Sequence, residues 1–276
     1  AAVVGNGIKS QIGPDSTSNG PGRAVLYLFY FSDRENEQPW QRIAVAETGT
    51  DAVNNGLMSP RPVDVDEDGN IDYVYAGDIK GNLWRFDVRN LPTVTVTKLF
   101  AAGADKPITA APVVRRHVGS QPTCGTAAGC WMVVFGTGYP AGPLTPGPYT
   151  LGTQSVYGIL DDLSGTTVTN SQLVVPTLSA TTASSTTRTV TPDTTPWTGK
   201  KGWKIDLEQG EQMFANAVTY SDNSVMLTTA RYFKSSSSTP KRSWLTQLNI
   251  FTGAGVAVFG TSASRAPSLV VAGSLY

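Results

Sequence analysis

The chain has 276 residues, enough for one large or two ordinary domains. Its formal net charge is zero and only 15% of residues are charged, so no basic surface suited to nucleic acid is indicated. Hydrophobic residues make up 40%, yet no apolar run reaches the roughly 18 residues that a membrane span needs.

Gly (28) and Pro (18), with abundant Thr, Ser and Val, favour short strands joined by turns. Helical periodicity is almost absent, and the chain reads as all-β. It opens at Ala1 and runs into Val3-Val4-Gly5-Asn6-Gly7 without a leader, as expected of a mature or excised fragment. That segment is the first of four strands ending at a corner of glycine or other small residues. The others are Val74–Asp78, Val134–Gly138 and, more weakly, Leu227–Arg231. Each leads to an apolar strand with aromatic content: Leu26–Tyr30, Leu83–Asp87, Val156–Leu160 and Trp244–Asn249. Three corners follow a further short strand, at Pro60–Val63, Ala110–Val114 and Phe214–Val218, and outer strands are expected at Ile43–Ala46, Val94–Thr97 and Trp203–Asp206.

Four strands per unit, repeated with a tight corner, predict a modified β-propeller with long loop insertions. The spacing of about 60 to 95 residues per unit exceeds the 40–50 of regular propellers. Residues 1–276 therefore read as one propeller domain or part of a larger one, with a β-sandwich or a string of hairpins as the plainer alternative. Ala266–Val271 resembles the first strand of a unit. Gly138–Pro148 and Ser235–Pro240 read as exposed loops. The Thr/Ser-rich insertion 164–200 is either a flexible linker or an irregular strand pair on the rim.

The richest chemistry lies at 64–72. Asp64, Asp66 and Asp68 alternate, Gly69 allows a sharp turn, and Asn70 and Asp72 follow. Alternating carboxylates in a turning loop offer the hard oxygens that Ca²⁺ prefers. The expected ligands are Asp64, Asp66, Asp68 and Asp72 by side chain and Asn70 by its carbonyl. The loop is not an EF-hand, because the twelfth position is Tyr75 and strands flank it. With fewer charged ligands than a tight EF-hand, it predicts micromolar or weaker affinity. The plainer reading is an acidic turn that holds no metal. Asp78 is expected to cap the next corner and Asp87 to end a strand.

Cys124 and Cys130 flank a five-residue spacer containing glycine, consistent with a small disulfide or with two free thiols. One histidine leaves too few soft ligands for zinc. A disulfide and a calcium loop both suit an oxidising, calcium-rich compartment, so export is expected. His117 reads as a surface or loop histidine, and Asp161-Asp162 as a turn. No nucleophile elbow, phosphate loop or second metal motif appears, and the chain is expected not to be an enzyme. The tryptophans could line a sugar site, but Trp84 and Trp244 occupy equivalent strand positions that suit blade cores.

The run from Pro62 to Asp87, with its acidic loop leading into Tyr75-Ala76-Gly77-Asp78 and Gly81-Asn82-Leu83-Trp84-Arg85-Phe86-Asp87, resembles the PilC/PilY family of type IV pilus biogenesis proteins and tip adhesins. Gly5-Asn6-Gly7, Pro107–Pro112 and Phe135-Gly136-Thr137-Gly138 agree with it. The resemblance covers roughly residues 1–140 well and the remainder through Gly202-Trp203 and the blade pattern. It implies a C-terminal modified β-propeller of a larger exported protein, with one Ca²⁺ held by Asp64, Asp66, Asp68, Asn70 and Asp72. It also implies passage through the periplasm to the outer surface and pilus tip. There the family supports pilus assembly against retraction, twitching motility and adhesion, with minor pilins and host-cell or surface receptors as partners. A quinoprotein-like dehydrogenase is one alternative, although Cys124 and Cys130 are not adjacent and no tryptophan docking repeat recurs. A calcium-dependent carbohydrate- or receptor-binding propeller is another, although the loop occurs once.

Overall fold

A computed structural model describes residues 2–7, 22–30, 40–44, 55–126, 129–139, 152–179, 187–213, 215–220, 223–231, 242–256 and 269–270. Among them the chain is all-β, interrupted by one 3₁₀ turn at Asn170–Gln172. No helix among the described residues is long and apolar enough to cross a membrane.

The strands build four blade-like sheets of a modified β-propeller. The first holds β1 (Ala2–Gly5), β2 (Val25–Phe29) and β3 (Trp40–Ala44), each antiparallel to the next. The second is a four-strand meander of β4 (Arg61–Val63), β5 (Tyr73–Gly77), β6 (Asn82–Asp87) and β7 (Thr95–Ala101). In the third, β8 (Val113–Arg116), β9 (Trp131–Gly136) and β10 (Ser155–Asp161) continue across a long insertion to β14 (Gly202–Asp206). The insertion contributes β11 (Leu173–Val174), which runs parallel to β14, and pairs β12 (Thr177–Leu178) with β13 (Val190–Thr191). In the fourth, β15 (Glu211–Gln212) and β16 (Val218–Tyr220) share one edge of β17 (Ser224–Arg231). Then come β18 (Arg242–Asn249) and β19 (Leu269–Val270).

Strand alternation explains how the blades stack, because successive side chains leave opposite faces of a sheet. On β5, Tyr73 and Tyr75 face the third blade while Val74 and Ala76 face the first. On β9, Val133 and Phe135 join the core with the second blade, whereas Met132 and Val134 join the core with the fourth. Strands buried on both faces explain why these segments read as nearly continuous apolar runs. Gly158 shows the tightness of the packing: a Cβ there would lie 2.3 Å from the ring of Trp203, which is fully buried.

Several expectations are corrected. The inner strands of the third and fourth blades start later than Ala110 and Phe214, at Val113 and Val218. The expected strand at the chain's end pairs as Leu269–Val270 with β18, opposite β17, and so forms the outer strand of the fourth blade rather than the first strand of a unit. His117 is 8% exposed, not a surface residue: its Nε2–H donates to the Pro122 carbonyl at 2.7 Å, and its ring meets Phe251 edge-on at 4.7 Å. Asp161 ends a strand rather than forming a turn, and it is buried. The described parts of 164–200 include the strand pair β12–β13, add the buried β11 to the third blade's sheet and bury Arg188 against Glu211. Residues 140–148 and 180–186, the loop Ser235–Pro240, Phe214, positions 45–46, 266–268 and Val271 lie outside the described residues.

Cys124 and Cys130 are joined by a disulfide with Cα atoms 5.8 Å apart. Both sulfur-bearing side chains belong to the core between the third and fourth blades.

Candidate metal centre

The acidic loop connects β4 to β5. The first constraint is the backbone of Asp72: its N–H donates to the Val63 carbonyl at 3.0 Å, and its own carbonyl accepts from the Val88 N–H at 2.9 Å. This fixes Asp72 where β5 enters the sheet, with 8% of its surface exposed. Its Oδ2 reaches back to accept the Val65 N–H at 2.7 Å, closing the loop on itself.

The other carboxylates shape the turn through backbone donors. Asp64 accepts the Glu67 N–H through Oδ1 at 2.7 Å and the Gly69 N–H through Oδ2 at 2.8 Å. Asp66 Oδ1 accepts the Asp68 N–H at 3.2 Å. Asp68 Oδ1 accepts the Asn70 N–H at 2.7 Å, and its Oδ2 accepts the Asn70 side-chain amide at 3.1 Å. These donors hold the Asp68 carboxyl below its usual range, the side-chain amide of Asn70 contributing most. Gly69 sits at φ +90° with open space where a Cβ would be, so the backbone conformation and not crowding selects glycine. Glu67 adopts φ +63°, a strained choice for a residue with a side chain.

The result gathers part of the expected ligand set. One carboxylate oxygen from each of Asp64, Asp66 and Asp72 lies within 4.8 Å of the others. Asp68 is not part of this cluster, and both its oxygens are engaged by Asn70. Asn70 donates its amide to Asp68. Among the described residues, no lysine or arginine forms an ion pair with the clustered carboxylates. Three like charges at this separation repel unless a cation enters. Each of their oxygens keeps a lone pair beyond the backbone bond it accepts, so the cluster fits a hard, oxygen-seeking cation.

Asp78 and Asp87 take other roles. Asp78 is fully buried and accepts from Lys80 N–H and Asn82 N–H, each at 2.9 Å, and from the Trp84 indole at 2.8 Å. Asp87 pairs with Arg89 at 2.7 Å.

Two other carboxylates carry their own cations, and sequence reading missed both. Arg85 and Leu83 share the face of β6 that looks toward the third blade, and Tyr157, Ile159 and Asp161 share the matching face of β10. Arg85 Nη1 meets Asp161 at 2.6 Å in the blade interface, and the Tyr75 hydroxyl donates to Asp161 at 2.9 Å. Burial, with Asp161 adding to it, raises the Tyr75 hydroxyl well above its usual pKa. The second pair joins Arg188, from the insertion, to Glu211 at 2.7 Å. Thr229 and Thr246 supply further oxygens to Arg188, and its guanidinium lies 4.8 Å from the Trp244 ring.

Comparison with known proteins finds similar chains. Residues 1–98 match the family model described as the PilY1 beta-propeller domain. The type IV pilus biogenesis factor PilY1 of Pseudomonas aeruginosa strain PAO1 is 33% identical over 187 residues, covering 58% of this chain and 14% of that protein. A PilY1 homolog of Xylella fastidiosa is 29% identical over 237 residues, covering 78% of this chain and 15% of its own length. The chain thus spans about a seventh of these relatives. The crystal structure of the Pseudomonas aeruginosa PilY1 C-terminal domain superposes with a TM-score of 0.70 at 25% identity, covering 96% of this chain and 62% of that one.

Proposed function

We propose, for a chain that belongs to the PilC/PilY family as its C-terminal β-propeller domain, that it serves type IV pilus biogenesis and binds one Ca²⁺ in the loop 64–72. The observation that carries the metal assignment is the convergence of Asp64, Asp66 and Asp72 within 4.8 Å, none of them in an ion pair with a lysine or arginine among the described residues. Support for the pilus role comes from relatives named as type IV pilus biogenesis factors.

Asp64, Asp66 and Asp72 would hold the ion. Asn70 would add its carbonyl, and Asp68 would join after releasing the Asn70 amide. A Ca²⁺ held there would supply the positive charge that balances the clustered carboxylates. The chain's own residues do the positioning: Asp72 is anchored by Val63 and Val88, and Asp64 is aimed by two backbone donors. The assembled protein acts at the outer surface and pilus tip after export. There it supports assembly against retraction, twitching motility and surface adhesion, with minor pilins and surface receptors as partners. The role is non-enzymatic: the propeller offers a rigid scaffold and a metal-dependent loop.

Titration calorimetry with calcium chloride on the chain and on Asp72→Ala tests the metal assignment. Saturable heat in the first and none in the second is expected, and silence in both removes it. Surface pili and twitching zones in cells producing the full-length protein with Asp72→Ala test the biological role. Unchanged piliation and motility would detach calcium from that role.

A further inference from the structure

The loop 64–72 contains two apolar side chains, and each stands between two of the proposed ligands. Val65 lies between Asp64 and Asp66, and Ile71 between Asn70 and Asp72. The two residues pack into different cores. Val65 joins the core shared by the second and third blades, beside Tyr73, Tyr75, Val133 and Phe135. Ile71 joins the core shared by the first and second blades, which contains Leu26, Leu28, Val74 and Phe86. A nine-residue loop of one blade therefore reaches both of its neighbours.

The backbone ties these two contacts to the carboxylates. The Val65 N–H donates to Asp72 Oδ2 at 2.7 Å, so the residue that enters one core is bonded to the carboxylate adjoining the residue that enters the other. Both apolar side chains are only half-buried, and a cleft of about 800 Å³ opens beside the loop, lined by Val3, Leu28 and Tyr30 of the first blade and by Ile71, Asp72 and Arg89. The other two described interfaces contain buried arginine–carboxylate pairs, Arg85–Asp161 and Arg188–Glu211. Among the described residues, no such pair lies in the core between the first and second blades.

We infer that the loop is a calcium-dependent tie between blades: the ion, by fixing Asp64, Asp66 and Asp72, seats Val65 and Ile71 and so stiffens both the first–second and the second–third interfaces. This inference rests on the calcium reading above. A device that ordered only its own turn would need no apolar side chains between its ligands. Here the spacing places one on each side of the blade. The interface with the first blade is the more responsive, since it has the cleft and, among the described residues, no buried arginine–carboxylate pair. Occupancy of a surface loop thereby controls how firmly a whole neighbouring sheet is held.

Hydrogen–deuterium exchange on the 276-residue chain, with and without calcium chloride, reads the tie directly. Calcium is expected to slow exchange by about threefold or more in β2 and in β9, strands of the neighbouring blades that contain no ligand. Ile71→Ala is expected to keep the calorimetric calcium signal while losing the protection in β2 and retaining it in β9. Val65→Ala is expected to do the reverse, and Ile71→Val, a milder change, to lose part of the β2 protection. Calcium heat with protection confined to residues 61–77 overturns the tie and leaves the metal site standing. Absence of calcium heat in the unaltered chain removes both.

Discussion

The carboxylates of this molecule are compensated in two different ways. Asp161 and Glu211 are buried against guanidinium groups from residues 76 and 23 positions away in sequence, Arg85 and Arg188. Asp64, Asp66 and Asp72 gather where the loop enters a strand, accepting backbone N–H donors and forming no ion pair among the described residues, although the charge of Arg89 reaches Asp72. The first arrangement is closed: its charge balance is written into the chain and persists at any ionic composition. The second is open, and in the reading proposed above a cation from the surrounding solution would complete it. Interfaces with an internal arginine are then permanent supports, whereas the loop would supply an adjustable one.

The largest expected effect comes from breaking a closed pair. Glu211→Ala leaves Arg188, 2% exposed, without its carboxylate in the core between the third and fourth blades. Stranding a buried charge costs about 3–5 kcal/mol, while replacing both partners by apolar residues is close to neutral. Chemical denaturation of Glu211→Ala should show a loss in that range, and Arg188→Met with Glu211→Leu should recover most of it. If the single and double variants lose equal stability, the pair is not what the interface depends on.

Opening the other side of the comparison costs less and depends on the medium. Calcium at one hundred times its dissociation constant stabilises the folded state by about 2.7 kcal/mol. Thermal unfolding of the chain should shift upward on calcium addition and fall back with a chelator. Asp72→Ala should unfold at one temperature in both. Glu211→Ala should keep the full calcium shift, because the pair and the loop have no residue in common and additivity holds for separate sites. A calcium shift that vanished in Glu211→Ala would merge the two kinds of support into one.

The difference between the regions also explains what could be read from sequence. The acidic loop is legible because its ligands fall within nine consecutive residues, and alternation with a glycine turn is a local pattern. The blade strands are legible for the same reason: Tyr73–Gly77 and Asn82–Asp87 announce themselves by composition. Arg85–Asp161 and Arg188–Glu211 are not local. Nothing near Asp161 distinguishes it from Asp162, yet alternation along β10 turns Asp161 into the interface and leaves Asp162 to pair with Lys201 on the outside. Arg188 sits in a Thr/Ser-rich segment whose composition suggested solvent, and its burial follows from where the insertion crosses the fourth blade. His117 lies in a loop, as its sequence context allows, but it is buried because its cover, Phe251, comes from a distant strand end. Asp68 shows the limit within the legible region: spacing groups it with the other carboxylates, whereas its oxygens turn to the Asn70 backbone N–H and side-chain amide and lie outside the cluster of Asp64, Asp66 and Asp72.

A smaller effect separates burial without a charge partner from both arrangements. Burial lowers the His117 pKa from 6.5, the Pro122 carbonyl opposing this only in part, and Nδ1 has no hydrogen-bond partner. The unfolded chain therefore binds a proton at a pH where the folded chain does not, so stability falls as pH drops below about 6.5 toward the folded value. Unfolding midpoints measured between pH 7.5 and 5.5 should decline, and His117→Gln should flatten that decline. An equally steep decline in the variant would place the responsible group elsewhere.

The smallest effect sharpens the boundary of the open arrangement. Glu67 is inside the acidic run yet outside the cluster, exposed, and held at φ +63°. Its backbone N–H shapes the loop by donating to Asp64, which a side-chain substitution leaves in place. Glu67→Gln removes one charge and no ligand. In water-like surroundings a unit charge about 8 Å from a doubly charged ion is worth roughly 1 kcal/mol before salt screening, so calcium affinity should weaken by about fivefold or less. Asp66→Asn, which alters a clustered carboxylate, should weaken it by tenfold or more, since hydrogen bonds and metal contacts to a charged oxygen are the strong ones. Calorimetric titration of both variants at one ionic strength makes the contrast quantitative. If the two substitutions weaken binding equally, calcium responds to the acidity of the whole run, and the convergence of Asp64, Asp66 and Asp72 is incidental to it.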